Sequence, residues 1–354
     1  MPSGTSAGVE ACRSDRQPNQ QRLWQAAQVE SDAGQVSGAQ APIRAWLPIW
    51  LLLALIWGSS FLLMKYGLQA FSPIEIALGR TSTGLLAVLV FVFLGHKKMP
   101  RDRVAWLHCA VIAVFLCIIP FTLFAWAETR VSSLLAGLFN AGTPLFTALA
   151  GLVIMRGDRV GPNRTLGLFL GLAGVVIMLS LGGPISGTVI GSLAAVGATA
   201  CYGIGIQWTR RFLGHRPEGA ESLVAAQLLI ASLGLAVIEL LTRTSPPQWS
   251  PLPVVSVVLL GALGTGIAFV LNFQVIKIAG ALTSSTVTYA TPIVSTVLGI
   301  LVLGEGLTWN EPVGAALVLV GVALVQGFLK PLPQRDPIQS ADAVTGATSA
   351  RRSR

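Results

Sequence analysis

Asn140, Thr147, Tyr202, Thr288 and Ser295 are hydrogen-bonding side chains set inside long apolar runs of a 354-residue chain, and Trp57 stands in another such run. Asn140 and Thr288 each lie four residues before a proline, Pro144 and Pro292. Three charges stand within or at the ends of similar runs: Lys65, Arg80 and Glu128. These residue types offer binding chemistry. Amides, hydroxyls and aromatic faces can hold a solute, and a fixed charge can pair with one. Catalysis would need His, Asp, Cys or Ser gathered at one depth as a nucleophile and base, and the apolar runs supply no such set. The three histidines (His96, His108, His215) lie in or beside basic loops, and Cys12, Cys109, Cys117 and Cys201 have no CxxC or other metal spacing. The sequence therefore predicts no metal and no cofactor.

The solvent around these residues follows from composition. Hydrophobic residues make up 53% of the chain and charged residues 11%, with a mean hydropathy of +0.70. A soluble domain carries about a quarter charged residues, so there is too little polar surface here to coat a globule. Uncharged runs of about 20 residues alternate with short basic knots, and that is the length a helix needs to cross a ~30 Å hydrocarbon slab. The net charge of +9 is spread between those runs and forms no stripe on one element, which argues against a nucleic-acid partner. Lys and Arg in short loops mark the cytoplasmic side. Eleven fall on one side and three on the other, which predicts both termini in the cytoplasm. The expected setting is the inner or plasma membrane, crossed many times, with the lipid bilayer as the first partner.

Four segments are expected: a disordered cytoplasmic tail at 1–45, five spans over 46–183, five more over 188–329, and a second disordered tail at 330–354. The chain repeats itself. "RVSSLLAGLFNAGTP" (130–144) lies over "IAGALTSSTVTYATP" (278–292) at an offset of 148, and Asp158, Gly167 and Gly174 then meet Glu305, Gly314 and Gly321 at an offset of 147. Upstream, Trp57 lies over Tyr202 and Lys65 over Arg210, an offset of 145. A unit of five spans is odd, so its second copy enters the membrane upside down. The fold predicted is all-α and integral to the membrane, ten transmembrane helices arranged as two inverted five-helix repeats. Such repeats build transporters whose site lies between the halves near the bilayer midplane.

The two prolines sit at that depth, in spans expected at 131–155 and 281–303. A mid-helix proline leaves the carbonyl four residues back without its donor, and in hydrocarbon a free carbonyl costs several kcal/mol. Ser133, Gly137, Asn140, Pro144, Thr147 and Gly151 recur every three or four residues along one face, and Ser284, Thr288, Pro292, Ser295 and Gly299 do so on the repeat mate. Two readings stay open. Small and hydroxyl residues mediate close helix packing, and paired kinked stripes also suit two walls of one cavity. Trp57 and Tyr202 either stack on a solute or pack. Arg80, some six residues inside its span, either pairs with a zwitterionic or anionic solute or belongs to a gating or structural salt-bridge set with Lys65 and Glu128. Gly167 and Gly171 form a GxxxG that serves a close crossing within the chain or a homodimer.

"WGSSFLLMK" (57–65), Arg80 after "SPIEIALG", "LFNAGTPLFTALAG" (138–151), "GLFLGLAGVVIM" (167–178) and "PIVSTVLGILVLGE" (292–305) stand in this order, partly duplicated. Over residues 46–329 the chain resembles the drug/metabolite transporter superfamily, its EamA-type ten-helix permeases. The resemblance implies an inner- or plasma-membrane carrier for small organic metabolites, amino acids or drugs, often an exporter, with a cavity lined by spans 1, 3, 4, 6, 8 and 9. It names no solute. A sensor or assembly subunit on the same scaffold is the alternative, and a membrane-embedded enzyme a more distant one.

Overall fold

The computed structural model describes residues 42–154, 161–180, 187–214, 216, 218–243, 248–285, 287–325 and 329. Residues 1–41 of the tail expected at 1–45, all of the tail expected at 330–354, the acid Asp158 and residues 182–186 of the turn expected at 182–187 lie outside the described residues, and the end of the first expected tail, from Ile43, is helical. Two compact units divide at Pro48. Of the first, residues 42–48 are described, where the chain turns into its first helix; the packing below is that of the second unit, residues 49–354.

The helices in chain order are α1 Ile43–Gly67, α2 Pro73–Leu94, α3 Arg103–Glu128, α4 Ser133–Ile154, α5 Pro162–Ser180, α6 Gly187–Phe212, α7 Ala220–Thr242, α8 (the pieces Pro251–Gly261, Ala262–Ile267 and Ala268–Ser285), α9 Val287–Leu303 and α10 Asn310–Val325. Among the described residues there is no strand. Among the described residues seven helices are long and apolar enough to cross a membrane, and α5, α9 and α10 contain shorter apolar runs. The surface fits that reading. Phe93 is 74% exposed and Leu240 82%, while Thr81, Thr199 and Thr265 are fully buried. Water would penalise such an arrangement and lipid favours it.

Local chemistry sets several ends. Ser72 and Glu75 form a capping box on α2: the Glu75 N–H donates to Ser72 Oγ (3.2 Å) and the Ser72 N–H to Glu75 Oε2 (2.7 Å). Glu75 thus serves its own helix. Ser132 caps α4 by accepting from the Leu135 N–H at 3.1 Å. Its repeat mate is Gly280, which has no side chain to cap with, and there α8 runs on to Ser285, past the break expected near 277–280.

The two proline helices differ for a related reason. α4 is interrupted at Ala141–Gly142, between Ser133–Asn140 and Thr143–Ile154, whereas α9 carries Pro292 inside a continuous helix. Gly142 is a poor helix former, and its mate Ala290 is the best one. The carbonyl of Asn140, orphaned by Pro144, accepts from the Thr143 hydroxyl at 2.7 Å.

Two features repeat across the halves. α3 and α8 each contain one π-helical turn, Val114–Ile118 and Ala262–Ile267, starting 148 residues apart. The helices α5 and α10 cross at bare backbone. A Cβ on Gly167 would lie 2.5 Å from the Gly321 carbonyl, and one on Gly314 would lie 2.7 Å from the Gly174 carbonyl. Gly171 packs on Leu145 of α4. Gly167 and Gly171 therefore make their close contacts within the chain.

Candidate functional site

A cavity of about 230 Å³ lies among α1, α2, α3, α4, α6, α8 and α9. Its polar groups are Ser60, Arg80, Asn140, Thr143, Tyr202 and Thr288, set in walls of Trp57, Phe61, Phe121 and Phe124. Four of the six residues singled out as solute-facing, Trp57, Asn140, Tyr202 and Thr288, stand in this lining, as does Arg80, which α2 adds to the expected set of helices. They come as repeat pairs. Trp57 and Tyr202 are 145 residues apart and Asn140 and Thr288 are 148 apart, so each half supplies the same two positions.

Thr147 and Ser295 are placed elsewhere. The Thr147 hydroxyl donates to the Thr143 carbonyl (2.8 Å) and its carbonyl accepts from Gln207 Nε2 (2.9 Å), which ties α4 to α6. The turn at Ala141–Gly142 resets the helical phase, so the stripe read from spacing does not run straight through it. Ser295 is buried on α9, donates to the Pro292 carbonyl (3.1 Å) and sits where a Cβ on Gly137 would be 2.2 Å from its Oγ. It packs against α4.

Arg80 is held from two sides. Its Nε donates to Thr265 Oγ1 at 3.0 Å, and its guanidinium carbon lies 3.9 Å from the centre of the Phe121 ring. On α7, Gln227 does the matching thing: its Nε2 donates to Cys117 Sγ at 3.1 Å. Arg80 and Gln227 are the eighth residues of α2 and α7, and Cys117 and Thr265 are 148 residues apart in the two π turns. Each half thus reaches into the π turn of the other. Spacing alone missed this bridge: the offset of 148 places Thr265 over Cys117, but Arg80 and Gln227 pair at 147, which neither the 145 of the first span nor the 148 of the fourth gives.

Toward the Lys65 end of α1 the lining is aromatic. The Phe61 and Phe124 rings meet edge-on with centroids 5.7 Å apart. Beyond them, Lys65 Nζ donates to the carbonyls of Glu128 (2.7 Å) and Val131 (3.1 Å). Glu305, in the segment after α9, accepts from the Ser133 N–H (2.8 Å), the Ser133 hydroxyl (2.9 Å) and the Leu134 N–H (2.9 Å), capping α4 from the opposite half. The Glu128 side chain is 1% exposed, and neither carboxylate oxygen accepts a hydrogen bond among the described residues. The charges acting on it are Lys65, Glu305 and Arg80, so the three charged candidates share one electrostatic cluster. At the opposite end, the repeat mates of Phe61 and Phe124 are Ile206 and Asn272 and form no ring pair.

The description of the EamA-like transporter family matches this chain twice, over residues 44–180 and again over 189–326. The chain belongs to the EamA-like transporter family. This member is 28% identical over 279 residues to YvbV, an uncharacterised transporter of Bacillus subtilis, a match spanning 77% of this chain and 88% of that one. It is 26% identical to YedA, an uncharacterised inner membrane transporter of Escherichia coli, over 80% of this chain and 92% of the relative. A solved crystal structure, 22% identical, shares the fold over 81% of this chain and 98% of that one with a TM-score of 0.55. This EamA-like protein is a multi-pass membrane transporter of all-α architecture with two five-helix repeats.

Proposed function

We propose that this protein moves a small organic solute across the inner or plasma membrane by alternating access, as a carrier and not an enzyme, with the central cavity as its solute site and both termini in the cytoplasm. The observation that carries the reading is the paired lining: Trp57 with Tyr202 and Asn140 with Thr288 face one space from the two halves. Inverted repeats that meet in this way can rock about a fixed midplane site and expose it to each side in turn. On the Lys65 side the Glu305 cap on the first turn of α4 joins the two halves, and it is the kind of contact that such a cycle must break. Net outward movement is the direction that the family resemblance implies.

The test compares metabolites inside and outside cells with and without the gene. Solutes that accumulate inside the deletion strain are expected to leave roughly tenfold more slowly when Asn140→Leu replaces the wild-type protein at matched expression, since leucine removes an amide from the site. Unchanged efflux would take the cavity off the route.

A further inference from the structure

We propose that the solute is a small organic monoanion, a carboxylate on an apolar body, and that Arg80 is the group that pairs with its charge. The inference rests on the carrier reading of the same cavity.

The two halves contain their own control. Gln227, at the position of α7 that matches Arg80 on α2, bridges to the π turn of the other half with a neutral amide. The bridge therefore does not require a cation. A charge at mid-depth in a membrane is expensive, so a fold that needed only the bridge is served by an amide at both positions. The positive charge of Arg80 calls for a second explanation.

Its surroundings supply one. Thr265 takes only Nε; no residue among those described accepts from the two Nη nitrogens. The Phe121 ring lies 3.9 Å from the guanidinium carbon, and Arg80 lines the cavity. A forked pair of N–H donors matches the two oxygens of a carboxylate. No Asp or Glu stands in the lining, where the remaining polar groups are neutral hydroxyls and amides. Glu128 acts on Arg80 from within the same charged cluster but lies outside the lining and its carboxylate oxygens accept no hydrogen bond, so an entering anion meets a cation that no salt bridge among the described residues holds. A solute ammonium would be repelled by Arg80 and would find no carboxylate there. The aromatic walls take the apolar body. At about 230 Å³ the space falls below the ~300–1,000 Å³ of sites for drug-sized ligands, so that body is small.

Benzoate, benzamide and benzylamine share one shape and carry charges of minus one, zero and plus one. In calorimetric titrations of the full-length protein in lipid nanodiscs, benzoate is expected to bind at least ~10-fold more tightly than benzamide, with benzylamine weakest. Arg80→Gln copies the arrangement at Gln227; it should keep the wild-type melting midpoint and bind benzoate and benzamide within about threefold of one another. Arg80→Lys gives a second variant that keeps the preference for benzoate but binds it more weakly, because an ammonium lacks the fork. The inference is overturned if benzamide or benzylamine binds wild type as well as benzoate does, if the preference survives in Arg80→Gln, or if benzoate shows no binding at ~10 mM. Efflux of a neutral or cationic solute that depends on Asn140 would sink the charge assignment alone. Efflux indifferent to Asn140→Leu would sink the carrier reading beneath it.

Discussion

Replacing Glu305 with alanine should make the cavity reachable from the Lys65 side, raising the labelling rate of Asn140→Cys by an impermeant thiol reagent on that side about 100-fold. The carboxylate of Glu305 holds the first turn of α4. It accepts three hydrogen bonds at the first turn of α4, from the Ser133 N–H and hydroxyl and the Leu134 N–H, at 2.8, 2.9 and 2.9 Å. Bonds to a charged acceptor contribute ~1.5–3 kcal/mol each, and a negative charge also suits the positive end of the helix. Opening returns these groups to water, which offsets part of the loss. A net ~3 kcal/mol shift of the closed–open balance is a reasonable remainder, equivalent to about 100-fold in population. Glu305→Gln keeps one carbonyl oxygen and should fall between. The Lys65 bonds to the Glu128 and Val131 carbonyls remain in both variants, so closure is weakened and not abolished. The labelling is read in sealed vesicles of known orientation, with Thr288→Cys as a second reporter. Rates equal to those of the parent cysteine variants would mean that the Glu305 cap stabilises α4 without controlling access.

The parts of the molecule that were legible in the sequence are those fixed by solvent and by repetition. Long uncharged runs admit only helices in lipid, so the ten-helix, all-α architecture followed directly. The offset of 147 that pairs Gly167 with Gly314 and Gly174 with Gly321 marked the residues of the α5–α10 crossing. Trp57 and Tyr202, matched at an offset of 145, do face one cavity. What spacing could not supply was phase and partnership. A stripe drawn at 3.6 residues per turn assumes an unbroken helix. The turn at Ala141–Gly142 breaks it, and the Thr147 hydroxyl bonds back to the Thr143 carbonyl. Ser295 belongs to packing because Gly137, on another helix, leaves room for it. The π turns have no compositional signature; they are recognised by what they receive, a donor from Arg80 or Gln227 on a helix of the opposite half. The Glu305 cap joins residues 172 apart in sequence.

The largest effect on stability should come from Gly321→Leu. In lipid the exclusion of apolar surface from water no longer drives helices together, and close contact between small residues does much of the work. A Cβ at position 321 would fall 2.5 Å from the Gly167 carbonyl oxygen and 2.6 Å from the Gly171 nitrogen, and both obstacles are backbone. No rotamer relieves such a clash. The crossing must open, and with it go the contacts of Gly174 on Gly314 and of Leu145 on Gly171. Overpacking costs ~1–3 kcal/mol even where side chains can adjust, so a leucine against backbone should exceed ~3 kcal/mol. We expect the Gly321→Leu protein to lose its monodisperse peak in detergent, or to melt at least ~10 °C below wild type if it survives extraction. Gly306→Leu is the control, because a Cβ there meets nothing within 4 Å. The same series separates the two uses of the glycine motif. If Gly167 and Gly171 served a homodimer surface instead of this crossing, Gly167→Leu would change the oligomeric state and leave the melting midpoint of the monomer alone. The contact of Gly167 with the Gly321 backbone predicts the reverse, an early-melting protein whose oligomeric state is unaltered for as long as it stays folded.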